Sequence, residues 1–81
     1  MSYSYLKNLA FSDSGFLFDP GTGSTYTVNE TGLFILNLLK INKEQNEIIQ
    51  LLLEEYETTK EQAERDFSDL IIQLKSLRLI K

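Results

Sequence analysis

The sequence predicts an α+β domain, a three-stranded antiparallel sheet followed by three helices. Short β-type runs separated by turn clusters open the chain, and apolar residues at three- and four-residue spacing fill the remainder. No linker, repeat or low-complexity tract interrupts the 81 residues, so residues 1–81 are read as one domain with a thin core.

Residues 3–11 mix apolar and polar positions and are read as the first strand, closed by the turn-forming cluster Ser12-Asp-Ser-Gly15. Phe16, Leu17 and Phe18 form an apolar run bounded by turn residues, the pattern of a strand buried on both faces. Asp19-Pro-Gly-Thr-Gly23 is turn chemistry, because proline presets one φ and glycine permits a positive one. Residues 24–28, rich in Thr, Tyr and Val, return as the partner strand.

Asn29 is placed to cap the first helix, with Glu30 favourable in its first turn. That helix, residues 30–40, is apolar nearly all round and is expected to be central. A second helix is expected to start with Asn42 as its cap and Gln45 at the capping-box position. Its buried face is Ile48, Ile49, Leu52 and Tyr56, and it runs out near Glu57. The third starts at Thr58 or Thr59, since Thr58-Thr-Lys-Glu61 and Thr59-Lys-Glu-Gln62 both fit a capping box. Its core stripe is Ala63, Phe67, Leu70, Leu74 and Leu77. Helices two and three, joined by a few residues, make a helix-turn-helix pair.

At about 100° per residue, Ile72 falls opposite that stripe, on an outer arc shared with Arg65, Asp69 and Ser76. Asp66 and Gln73 flank the core face on one side and Ile71 on the other. Two readings of Ile72 stand: an isolated exposed apolar side chain, or part of a groove for a partner chain.

Composition excludes several functions. Without Cys or His the chain lacks thiolate nucleophiles, imidazole bases and the usual soft metal ligands, so neither catalysis nor a metal site is expected. The carboxylates of the later helices alternate with Lys and polar residues, as on a solvated face. Gly21-Thr-Gly23 lacks the lysine and the following helix of a phosphate loop, and Asp13 and Asp19 lack a calcium-loop series. The net charge is −4, and residues 15–28 contain no Lys or Arg. Lys60, Arg65 and Lys75 face Glu61, Glu64, Asp66 and Asp69 in the last helical stretch, which argues against a phosphate-tracking surface. No basic start with a following apolar stretch marks a signal peptide, and Asn37 breaks the longest apolar run, so neither secretion nor a membrane span is expected. A cytoplasmic location is the expectation.

The residues carry a further pattern. Phe16-Leu-Phe-Asp-Pro-x-Thr-Gly-x-x-Tyr-Thr-Val-Asn-x-Thr-Gly32 continues through Ile35-Leu-x-Leu-Leu39 and Glu47-Ile-Ile…Leu53-x-x-Tyr56 to Glu64-Arg-Asp66…Leu70…Leu74-x-x-x-Arg78-Leu-Ile80. In order and spacing it resembles the PqqD family of small winged helix-turn-helix domains, also called RiPP recognition elements. The resemblance implies a non-catalytic peptide chaperone with no cofactor. Such a chaperone binds the leader of a ribosomally made precursor and presents it to a modifying enzyme, such as a radical S-adenosylmethionine protein in pyrroloquinoline quinone synthesis or a leader peptidase in lasso-peptide systems. The family's leader docks as an added strand beside the third strand and against the third helix. Carried over, this places the site at Ser24, Thr25, Tyr26, Thr27 and Val28, with Arg65, Asp66, Asp69, Ile72 and Gln73 from the helix. Many relatives have an acidic residue and glycine after the first helix, where this chain has Ile41-Asn42. An open edge strand can accept an extended peptide through its backbone, which agrees with this reading. The alternatives are a winged-helix DNA-binding regulator and a structural adaptor whose edge strand pairs with its own copy. Monomer or weak homodimer is the expected state.

Overall fold

A computed structural model describes residues 3–80, so Met1, Ser2 and Lys81 of the expected domain lie outside the described residues. Strands β1 (Ala10–Phe11), β2 (Phe16–Asp19) and β3 (Ser24–Thr27) precede helices α1 (Glu30–Lys40), α2 (Gln45–Glu55) and α3 (Lys60–Ser76). The sheet is antiparallel in the order β1-β2-β3, which leaves one side of β3 unpaired. This is the expected winged helix-turn-helix architecture.

The first strand is shorter than its sequence suggests. Ser4–Asn8 winds into a 3-10 helix, and only Ala10 and Phe11 pair with β2. The reason is spacing: Leu6 and Leu9 are both buried, and strand alternation would send positions three apart to opposite faces. One helical turn followed by a bend takes both into the core.

β2 is not buried on both faces. Leu17 is fully buried and Asp19 is 2% exposed, whereas Phe16 and Phe18 are 52% and 42% exposed. All three helices pack on one side of the sheet, so alternate residues of the apolar run meet water. Gly15, ahead of β2, has φ 87°, and a Cβ there would collide with the Val28 carbonyl oxygen. Glycine is therefore required where the chain enters the hairpin.

Asn29 caps α1 as expected, its Oδ1 accepting the Gly32 N–H at 2.7 Å. The far end differs from expectation, because Asn42 does not cap α2. With φ 64° it closes α1: its N–H donates to the Leu39 carbonyl, and the Lys43 N–H donates to the Leu38 carbonyl, both at 3.0 Å. This is a Schellman turn, a place that favours glycine, and asparagine is among the few side chains that tolerate it. α2 then begins after Glu44, which forms no side-chain cap. Of the two candidate starts of α3, Thr59 is the cap, its hydroxyl accepting the Gln62 N–H at 3.1 Å. A second Schellman turn ends α3, with Arg78 at φ 60° and the Leu79 N–H bonded to the Leu74 carbonyl, and it folds Leu79 and Ile80 back into the core.

The core gathers Leu17 from the sheet, Ile35, Leu36 and Leu39 from α1, Ile48, Ile49 and Leu52 from α2, and Ala63, Phe67, Leu70, Ile71 and Leu74 from α3. At its edges, Phe34 and Tyr56 meet edge-to-face with centroids 5.4 Å apart, and the Lys40 ammonium sits 4.7 Å from the Phe11 ring centroid.

Candidate functional site

The unpaired side of β3 has a defined polarity. The register opposes Phe16 to Thr27, Leu17 to Tyr26 and Phe18 to Thr25. The Val28 N–H donates to the Gly15 carbonyl at 2.9 Å, so Val28 and, two residues back, Tyr26 turn their backbone groups toward β2. Thr25 and Thr27 therefore aim theirs at the open side. Side chains alternate as well: Thr25 and Thr27 are exposed on the outer face, while Tyr26 and Val28 pack partly against the core.

Beside the end of this strand runs a groove of about 440 Å³. Thr27, Val28 and Asn29 line one side with Thr31 and Gly32 at the start of α1, and Asp66, Asp69, Leu70 and Gln73 of α3 line the other. Gly32 lets Val28 and the capping Asn29 pack closely on the start of α1, because a Cβ there would lie 3.1 Å from Asn29 Oδ1 and 3.3 Å from Val28 Cβ. Asp66 accepts from the Gln62 side-chain amide at 2.8 Å. Among the described residues the salt bridge is Lys43 to Glu47, on α2 and its approach, so no cation neutralises the two groove carboxylates. The groove can thus offer backbone donors and acceptors on one wall, an apolar floor at Leu70, and acceptors on the other wall.

Of the expected site residues, Thr27, Val28, Asp66, Asp69 and Gln73 come together here. Ser24, Thr25 and Tyr26 lie farther up β3 toward the hairpin turn, outside the groove lining. Arg65 is exposed on the outer arc of α3. Ile72, 63% exposed, borders a different depression of about 320 Å³ with Gln45, Phe67 and Ile71. Sequence reasoning had not placed Asn29, Thr31, Gly32 or Leu70 at the groove. A glycine in the first turn of a helix, where no positive φ is needed, was the available sign of close approach.

The charged side chain buried in the sheet is elsewhere. Asp19 accepts from the Tyr5 hydroxyl at 2.7 Å and from the Gly21 N–H at 2.9 Å, tying the 3-10 helix to the hairpin turn. Tyr5's hydrogen bond holds the Asp19 carboxyl below its ordinary range against the opposing effect of burial, with help from donors on Gly21 and Thr22. The same bond, then burial, pushes the Tyr5 phenol up. Among the described residues no group of acidic side chains is arranged to hold a metal ion, and no helix is long and apolar enough to cross a membrane.

No curated protein matches the chain. Two solved structures share its fold. One, TbiB1 in complex with the TbiA(beta) leader peptide, is 27% identical with a TM-score of 0.78, covering 90% of this chain and 86% of that one. The other, a lasso peptide synthetase B1 complexed with the leader peptide, is 32% identical with a TM-score of 0.72, covering 84% and 81%. The family model of coenzyme PQQ synthesis protein D matches residues 15–80. That span runs from the glycine that opens the hairpin to the isoleucine that the last turn returns to the core, and over it the chain belongs to the PqqD family.

Proposed function

We propose that this protein binds the leader of a ribosomally made precursor peptide by strand addition to β3 and presents it to a modifying enzyme, without catalysing a reaction itself. The observation that carries the reading is the open β3 edge, with the Thr25 and Thr27 backbone groups pointing outward, set beside a groove walled by α3. An extended peptide paired there gains main-chain hydrogen bonds that tolerate many sequences. Its inward side chains, every second residue, meet Leu70 and the acceptors Asp66, Asp69 and Gln73, which suits apolar residues flanked by cationic or amide ones. The similar lasso peptide synthetase B1, complexed with the leader peptide, favours a lasso-type precursor; the family resemblance then implies a leader peptidase as the enzyme. A cytoplasmic carrier, monomeric or weakly dimeric, fits this role. With −4 net charge and no cation lining the groove, duplex DNA has no counterpart on this face.

The test is NMR titration with the TbiA(beta) leader peptide. Amides of Thr25 and Thr27 and of the Asp66–Gln73 turns are expected to shift together. Shifts confined to the α2–α3 connection would sink the strand-addition mode. Ile72→Glu completes the test: on the crest of α3 beyond the groove lining, it is expected to change stability by less than about 0.5 kcal/mol and to leave peptide affinity unchanged. Loss of affinity in that variant would extend the contact over the crest.

A further inference from the structure

The groove beside β3 continues beyond its own lining. It shares Thr31 and Asp66 with a second cavity of about 300 Å³ at the junction of α1, α2 and α3. Leu52 and Ala63 give this cavity a buried apolar lining. Tyr56, held edge-to-face by Phe34, adds an aromatic wall, and Glu57 adds a carboxylate to that of Asp66.

The electrostatics of the junction are unbalanced. α1 and α3 carry Lys40 and Lys75 in their last turns, where a cation meets the negative end of a helix, but α2 carries no basic residue there. It ends instead on Glu54 and Glu55, with Glu57 two residues on. The positive end of α3, which follows in the chain, is already met by the Thr59 cap and by Glu61 in its first turn. Burial, and then the carboxylates of Glu30 and Glu55, push the Tyr56 phenol up, so a negative field reaches the cavity wall. Among the described residues the salt bridge, Lys43 to Glu47, lies at the opposite end of α2. Like charges set against a helix end, beside an apolar lining and an aromatic ring, break a local rule that a cation on an apolar stem would restore.

We infer that this cavity is a second compartment of the peptide site and takes a lysine or arginine side chain of the same leader. The inference rests on the strand-addition reading above. β3 ends at Thr27 and the chain turns into α1 at Glu30, so a peptide paired along β3 and continued past Thr27 runs over Thr31 towards the cavity. The aliphatic stem lies against Leu52 and Ala63, and the cationic head meets Tyr56, Glu57 and Asp66. An apolar side chain is the poorer occupant because it leaves the carboxylates without a counter-charge, and an anionic one adds to them.

The test uses the TbiA(beta) leader peptide carrying one lysine at each position in turn, each matched by norleucine, which keeps the stem and removes the charge. Affinities are measured by fluorescence anisotropy, and amide shifts by NMR, for the parent, Glu57→Gln, Glu57→Lys and Glu64→Gln. The last removes an exposed carboxylate of α3 that lines neither cavity. At one register of the peptide, lysine is expected to bind about fivefold tighter than norleucine and to shift the Tyr56 and Glu57 amides together with those of Thr25 and Thr27. The preference is expected to vanish in Glu57→Gln, to reverse in Glu57→Lys and to survive in Glu64→Gln. A parent that binds leader with β3 and α3 shifts but shows no lysine preference overturns the second compartment and leaves strand addition standing. So does a preference lost equally in Glu64→Gln, which reports net charge alone. N-acetyl-arginine amide probes the cavity without a leader, and is expected to shift Tyr56 in the parent and not in Glu57→Lys. That shift in a parent that binds no leader supports the cation site and overturns the carrier reading, whereas neither shift nor leader binding overturns both.

Discussion

Asp19 and Tyr5 show how a single hydrogen bond sets the pH range of the hairpin. Because the bond lowers the carboxyl below its ordinary 3.8, the folded state binds a proton less readily than the unfolded chain. The stability it contributes is present above the unfolded value and lost as pH falls through the folded one. Tyr5 works in the opposite direction: its folded value lies above the ordinary 10.0, so its contribution is complete below that value and lost as pH rises through the folded one. Asp19→Asn is therefore expected to flatten the acid limb of the melting-temperature profile, and Tyr5→Phe the alkaline limb. Thermal melts across pH would check both, and an acid limb as steep in Asp19→Asn as in the parent would assign it to other carboxylates. Neither residue lines the groove, so peptide affinity near neutrality is expected to survive Tyr5→Phe.

At the level of the element, β3 aims its backbone in two directions, toward β2 and toward the open side, and proline separates them. Thr27→Pro removes a donor from the open side, which an edge strand tolerates, and is expected to fold while losing peptide affinity. Tyr26→Pro removes a donor aimed at β2 and is expected to lower the melting temperature itself. Circular dichroism melts alongside peptide titration would read the difference, and equal effects from both would contradict the register. The helices were legible in sequence because their signals are local: Asn29 and Thr59 cap where their side chains reach the third residue on, and Ala63, Phe67, Leu70 and Leu74 keep helical spacing. The misread elements needed information from outside the segment. Nothing within Phe16-Leu-Phe reveals that helices cover only one side of the sheet. Asn42 has the chemistry of an N-cap and of a left-handed helix end alike, and the Leu38 and Leu39 carbonyls decide between them. For the groove, the strand and the Asp66/Gln73 flank followed from periodicity and resemblance, whereas Gly32 and Leu70 enter only when α1 and α3 are brought together.

For the molecule as a whole, three helices on one side of a three-stranded sheet leave an outer face and an open edge as the parts of the sheet not covered by its own chain. The core tolerates this because it is drawn mainly from the helices, with Leu17 as the fully buried apolar contribution of the strands. The same edge has a consequence during storage and expression. Ser24–Thr27 contains no Lys, Glu or Pro, the residues with which natural sheets blunt such edges, and its four-residue length and the net charge of −4 are what restrain pairing with another copy. Carrier without cargo is expected to associate on concentration, and stoichiometric leader peptide to suppress this, as light scattering at rising concentration would show. On the strand-addition proposal, a bound leader is also a lid on a reactive template, and making precursor in step with this protein would protect the edge from its own copies.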